Sequence, residues 1–340
     1  MSVAGMTGVA LGRPVGTARW LAIGLLVAVA AAIPLGLDGD GYVMRVLTMT
    51  LLFATLGQAW NMIGGLANQL SLGHAAFFGV GAYTSTILLR DLNVSPWLGM
   101  GAGAALAAVA ALLLSVPTFR LRGHYFALAT LAFGEVMRVI AISWSSMTGG
   151  PVGISVPYLP DGSFAMMQFS GAMPYYYITL VALILVTGLF WWMKESALGY
   201  RLRAIRENPE AAEVIGVDTY RTKLIASVVS AMVTACLGVI YAQFNYFFDP
   251  DQIFSLASVS VKIALTAIIG GVGLVFGPIL GAFLIVPFEE LANATLGGRA
   301  AGLSAFAYGL VLIALILLQP RGLVYLIIQI SERFGGKDRS

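Results

Sequence analysis

A single cysteine, Cys236, excludes any disulfide within the chain, and the two histidines, His74 and His124, have no further ligand at the spacing a zinc-type site needs. Charge is scarce as well, with Asp, Glu, Lys and Arg together making up 10% of 340 residues. No paired nucleophile and base stands out, and the one Gly-Lys dipeptide, Gly336-Lys337, is followed by Asp338 where a phosphate-binding loop carries Ser or Thr. The chain is therefore not expected to be an enzyme by itself, nor to bind a cofactor or a metal. The net charge of +3 comes from Lys and Arg confined to a few segments, so it is an orientation signal and not a footprint for nucleic acid.

What the chain has is apolar surface. It is 59% hydrophobic and holds 40 glycines, against ~45 to 50% apolar residues in an ordinary soluble domain. The expected fold class is all-α, a polytopic transmembrane helix bundle. Residues 1–19 carry Arg13 and Arg19 and no acid. The apolar run from Trp20 to Leu37 has the small residues of a signal peptide, yet basic residues before it and apolar sequence throughout favour an uncleaved first span. A second span reads from Met44 to Gly64 and leads into an irregular stretch with Asn68, Gln69, Ser71, His74 and several glycines. Such backbone survives at membrane depth only when buried in protein or lining a cavity. Helices follow from His74 to Leu89 and from Pro96 to Val116, the second rich in the small residues that tight membrane packing uses.

A fifth span contains Glu135 and Arg138, three residues apart on one helical face. A bare charge near mid-membrane costs roughly 2.5 to 3.5 kcal/mol, so the two are expected to form an internal structural ion pair. Residues 145–174 form a polar loop on the outer, periplasmic side; Tyr175 to Trp192 is a sixth span framed by interfacial aromatics, and Leu224 to Phe244 is a seventh. The run from Ala257 to Phe288 is too long for one crossing, since ~32 helical residues measure ~48 Å against a hydrocarbon core near 30 Å. The break is expected at GGVGLVFGP, between two short or half-inserted helices. A last span runs from Leu303 to Leu318, before a basic tail at 321–340. About ten crossings of ~20 residues place both termini in the cytoplasm, with the membrane domain spanning 20–320.

The most polar stretch, Lys194 to Lys223, is expected on that same side. It holds six of the nineteen basic and five of the sixteen acidic residues. Asn208 suits a helix N-cap, Pro209 the first helical position and Glu210 the positive end of the dipole, while Gly216 suits the left-handed stop. Ala211, Ala212 and Ile215 give this two-turn helix a small apolar surface. It is too short to be stable alone in water, so something outside the membrane is expected to hold it.

The pattern Glu210-Ala211-Ala212, then Gly216, resembles the cytoplasmic coupling motif of ABC-transporter permeases. With NMIGGLANQLSLGHAAFFGVGAY (61–83), RLRGHYFALATLAFGEVMRVI (120–140), TGGPVGI (148–154), GGVGLVFGPILGA (270–282) and PRGL (320–323), the chain resembles the membrane permease of the branched-chain amino acid ABC importers, the LivM type. It departs from the wider permease pattern after Gly216, at Ala226, Val228 and Val229. The resemblance implies an alternating-access importer in the bacterial inner membrane. It also implies that Arg203, Arg206, Glu210, Ala211, Ala212 and Gly216 carry the contact with an ATPase. Expected partners are a second, related permease, two ATPase subunits that use ATP and magnesium, a periplasmic amino-acid-binding protein and the lipid bilayer, with no nucleic acid. Gln58, Asn61, Gln69 and Ser71 are candidates for the pathway lining, with helix bridging as an equal alternative. A permease for another small solute, and an ion-coupled secondary transporter with glycine-broken helices, remain open.

Overall fold

The computed structural model describes residues 17–36, 41–119, 124–158, 164–296, 302–318 and 322–325. Arg13, Asp38, Asp40, Arg120, Arg122, Asp161, Arg299 and the basic tail from Arg321, apart from residues 322–325, lie outside them. In chain order come α1 (Thr17–Ala32), α2 (Tyr42–Ala67), α3 (His74–Leu92), α4 (Pro96–Thr118), α5 (His124–Ser143) and the single turn α6 (Ser145–Thr148). A two-residue strand β1 (Ile154–Ser155) precedes α7 (Ala172–Glu195), α8 (Ala197–Glu207), α9 (Pro209–Val214) and α10 (Thr219–Asn245). Strand β2 (Phe247–Phe248) and the turn α11 (Pro250–Ile253) lead into a π turn at Leu256–Val261, which continues as α12 (Lys262–Gly270). Helices α13 (Gly277–Leu296) and α14 (Leu303–Leu318) follow.

The protein is a multi-pass, all-α membrane protein. Among the described residues seven runs are long and apolar enough to cross a bilayer: α2, α4, α5, α7, α10, the composite Pro250–Gly270, and α13. Helix α3 is long enough but less apolar, because Tyr83, Thr84, Ser85 and Thr86 occupy its middle. Helices α1 and α14 are apolar but have 16 residues each.

Helix α2 is the axis of the bundle. Every residue from Thr50 to Ala67 is buried, with α7, α10, α12 and α13 packed around it. Its hydrophobicity therefore runs all round, as expected of a helix with no solvent or lipid face. Small residues set the spacing of its neighbours. A Cβ on Gly238 would stand 2.0 Å from the Phe78 carbonyl oxygen, so α3 and α10 touch backbone to backbone.

The break expected in the long apolar run is present at residues 271–276, but the flanking helices are not short. The composite Pro250–Gly270 and α13 have 21 and 20 residues, enough for two full crossings. Lys262 Nζ lies 2.6 Å from Glu289 Oε2, which ties this helical hairpin together far from its turn. The segment between α5 and α7 is pinned where β1 pairs antiparallel with β2, Ile154 opposite Phe248.

Candidate functional site

The charged stretch is more ordered than its composition implies. Helix α8 was not anticipated; Ser196 caps it, and Gly199, Leu202 and Ile205 form its buried face. Their spacing of three, in a segment dominated by Arg and Glu, is the amphipathic signal that identifies it. Leu202 packs with Met62, Leu66, Phe190 and Met193, so α8 lies across the ends of α2 and α7.

Helix α9 is closed at both ends. The Asn208 side chain accepts from the Glu210 and Ala211 amides at 3.0 and 3.1 Å, and Pro209 takes the first position. At the other end Gly216, with φ of +86°, lets the Val217 amide reach the Ala212 carbonyl at 3.0 Å and its own amide reach Glu213 at 2.9 Å. This is the Schellman arrangement, which satisfies the last carbonyls. Asp218 then caps α10, accepting from the Arg221 amide at 2.9 Å, and the returning helix is regular despite Ala226, Val228 and Val229.

Within the chain the caps, with Ala212 buried at 2% exposure, already hold α9. The apolar surface left free is different from the one expected. Ala212 is covered, while Val214 and Ile215 are 87% and 75% exposed beside Ala211.

The cations of this stretch face inward as well as outward. Arg203 stacks over the Tyr200 ring at 4.5 Å. Arg206 Nη1 donates to the Gly65 carbonyl at 3.0 Å, and Lys194 Nζ donates to the Gly273 carbonyl at 2.9 Å. Gly65 lies in the last turn of α2, and Gly273 lies in the helix break. The break is therefore at the end of the bundle where α7 passes into the charged stretch.

Backbone groups freed by the break are satisfied from α2. Gln58 Nε2 donates to Val275 O at 2.7 Å, Asn61 Nδ2 to Leu274 O at 3.0 Å, and the Gly273 amide donates to Asn61 Oδ1 at 2.8 Å. Gly271 and Gly273 take φ of +130° and +76° to present these groups. Gln58 and Asn61 are fully buried, and in this conformation they bridge α2 to the break. Ser71 is buried too, its Oγ 3.1 Å from His74 Nδ1, while His74 Nε2 stands 3.0 Å from Ser230 Oγ. Gln69 is half-buried beside them in the α2–α3 connection. The four pathway candidates thus divide between the break clasp and the start of α3. Replacing Asn61 with Leu leaves the buried Gly273 amide without its acceptor, at about 1 to 3 kcal/mol. A lowered thermal unfolding midpoint with unchanged helix content is the expected result by circular dichroism.

Glu135 and Arg138 meet, Nε to Oε1 at 3.0 Å, but the pair is half-exposed and not internal. Arg138 also binds Asp251 at 2.5 Å. Asp251 lies in α11, at the end of the bundle away from the break.

The family model for the permease component of branched-chain amino acid transport systems matches residues 42–318. The LivM permease of the high-affinity branched-chain amino acid system of Escherichia coli is 31% identical over 265 residues, covering 72% of this chain and 62% of the relative. The chain thus spans less than two thirds of that relative's length. LivH of the same organism is 23% identical over 82% of this chain and 92% of its own length. The autoinducer 2 import permease LsrC of Klebsiella pneumoniae is 30% identical over 57% of this chain and 54% of its own.

Proposed function

Since the chain belongs to the family of branched-chain amino acid transport permease components, we propose that it is the membrane-spanning subunit of an ATP-driven importer of branched-chain or other hydrophobic amino acids. ATP and magnesium chemistry then belongs to two partner ATPases. A second, LivH-like permease and a periplasmic binding protein complete the assembly in the bacterial inner membrane. With α1, α3 and α14 also crossing, the count is about ten, both termini lie in the cytoplasm, and the stretch from Lys194 to Lys223 faces the ATPases.

One observation carries this reading. A rigid two-turn helix exposes Val214 and Ile215 in the most charged segment of the chain, and the neighbouring Lys194 and Arg206 reach the break and the end of the central helix. Movement of α9 and α8 would pull directly on α2 and on the α12–α13 hairpin. Glu210, Ala211 and Gly216 shape the contact, Ala212 seats it, and Arg206 with Arg203 fixes the lever. The likeness to an autoinducer 2 permease supports a second reading, in which the same machine carries another small solute.

The test is ATP-dependent uptake of radiolabelled leucine into vesicles holding the whole complex, with Glu210→Ala and Gly216→Val made in turn. Gly216 has open space around it, so the valine strains only the left-handed backbone. Both variants are expected to insert normally and lose transport. Normal uptake by both removes the coupling assignment.

A further inference from the structure

At the end of the bundle away from the break, a cavity of about 360 Å³ lies between α2, α10, the π turn and α13. That volume is within the range of small-ligand sites, roughly 300 to 1,000 Å³. None of the four residues expected to line a pathway touches it.

Its charges are arranged unusually. Arg45 donates to Asn245 Oδ1 at 2.9 Å and stands 5.5 Å from the Phe244 ring, with no carboxylate within ion-pair distance among the described residues. Glu290 faces the same cavity from α13 and likewise has no cation partner among them. Its backbone carbonyl accepts from the Tyr42 hydroxyl at 3.1 Å, which fixes its helix against the start of α2. A cation and a carboxylate thus face one cavity without pairing with each other. Lys262, the other lining cation, is already neutralised by Glu289.

The wall is mixed, with Lys262 Nζ 4.5 Å from the Phe53 ring and apolar side chains beside it. Phe53, Phe78, Val259 and Val286 line the cavity and are buried. Phe53 follows Arg45 by eight residues, about 12 Å along the helix axis. The π turn places Ser258 and Val259 in the wall; its wide geometry is recorded in the Ser260 amide, which donates to Ser255 O at 3.3 Å. Single π turns inside helices recur at functional sites because they project side chains that a regular helix would not.

We propose that this cavity is a binding site within the permease for a zwitterionic aliphatic amino acid. Arg45 receives the α-carboxylate, Glu290 the ammonium, and the wall of Phe53, Phe78 and Val259 the branched side chain. The proposal rests on the reading of the chain as an amino acid permease. It adds that this subunit itself reads both charges of the solute.

The test uses the assembled permease and ATPase complex without its binding protein. Cys236→Ser removes the native thiol, and Ser258→Cys places one in the cavity wall. Leucine is expected to slow modification of that thiol by a small methanethiosulfonate reagent. At equal concentration, 3-methylbutylamine, which lacks the carboxylate, and 4-methylpentanoate, which lacks the ammonium, protect less. Arg45→Gln should weaken leucine protection roughly tenfold in concentration, the scale of one lost charge-assisted contact, while Arg45→Lys retains most of it.

Uptake is measured separately on the complete wild-type complex with its binding protein; leucine uptake there without protection of the cavity thiol overturns the site and leaves the transport reading standing. Protection without uptake supports the site and overturns the transport reading. Equal protection by leucine and both analogues, unchanged in Arg45→Gln, overturns the recognition of charge. Absence of both uptake and protection overturns both.

Discussion

Replacing Val214 or Ile215 with Asp is expected to abolish ATP-driven uptake while leaving the protein folded and inserted. Both side chains project from the end of α9 at 87% and 75% exposure, in a stretch whose other exposed residues are mainly charged. They are not lipid-facing in the manner of Leu113 or Leu185, which lie mid-helix in apolar runs. Because the caps already hold α9, the pair is presented in a fixed geometry, and little ordering entropy is lost on docking. A carboxylate in their place must be desolvated if a partner covers it, at several kcal/mol, and every 1.4 or so is tenfold in affinity. The expected readout is loss of the ATPase subunits on purification, together with loss of leucine uptake. Since neither side chain is packed within the chain, the unfolding midpoint should not move. Undiminished ATPase recovery from both variants would mean that the exposed pair is not the docking surface.

The boundaries of α9 were legible because each is set by a local chemical rule. Asn208, Pro209 and Gly216 occupy positions where only a few residue types serve, and those types stand there. The axis of the bundle was legible in part. Met44 to Gly64 was recognised as a span, but nothing in its own composition says that α2 is enclosed on every side; that follows from which helices pack on it. Likewise the break at residues 271–276 could be located from glycine and proline, because these punctuate helices wherever they cluster. Its depth could not. Its place in the bundle rests on Lys194 donating to Gly273, 79 residues on, and on Arg206 donating to Gly65, 141 residues back.

The same limit applies to Glu135 and Arg138. An i, i+3 ion pair is a local pattern, and it was legible as one. Asp251, which joins the pair from α11, is separated by 113 residues, so the third partner came from the tertiary contact alone. Gln58 and Asn61 stand out in the sequence as polar residues in an apolar span, candidates for the pathway lining or for bridging helices. Which partners they take, backbone groups at Val275, Leu274 and Gly273, depends on a loop more than 200 positions away. Arg45 and Glu290 drew no attention because each is an ordinary charged residue near the end of an apolar run. Their common cavity exists only when α2 and α13 are side by side.

The largest effect on folding is expected from Gly81→Leu. A Cβ on Gly81 would fall 2.0 Å from the Ala235 carbonyl oxygen on α10, and no side chain can move aside, because the obstacle is backbone. Helix α4 packs on both α3 and α10, and approaches so closely that a Cβ on Gly103 would lie 3.1 Å from the Gly81 Cα. Helix α3 is therefore in near-backbone contact with two helices that also pack on each other, and a larger side chain at position 81 must push it away from both. Overpacking a core normally costs about 1 to 3 kcal/mol through displaced side chains; separating three helices also forfeits the contacts along their whole shared length. Gly101→Leu is the matching control, since nothing lies within 4 Å of its added carbon. Detergent extracts should yield monodisperse Gly101→Leu protein at wild-type levels and little or no Gly81→Leu protein, with Gly81→Ala between them. The consequence reaches function because α10 begins at the turn after α9 and ends at Asn245 in the wall of the cavity. One glycine contact near its middle thus sets the relative height of the docking helix and the solute site. Wild-type yield and uptake from Gly81→Leu would mean that α3 and α10 are free to separate, and that the two ends of the machine are not held in register by their contact.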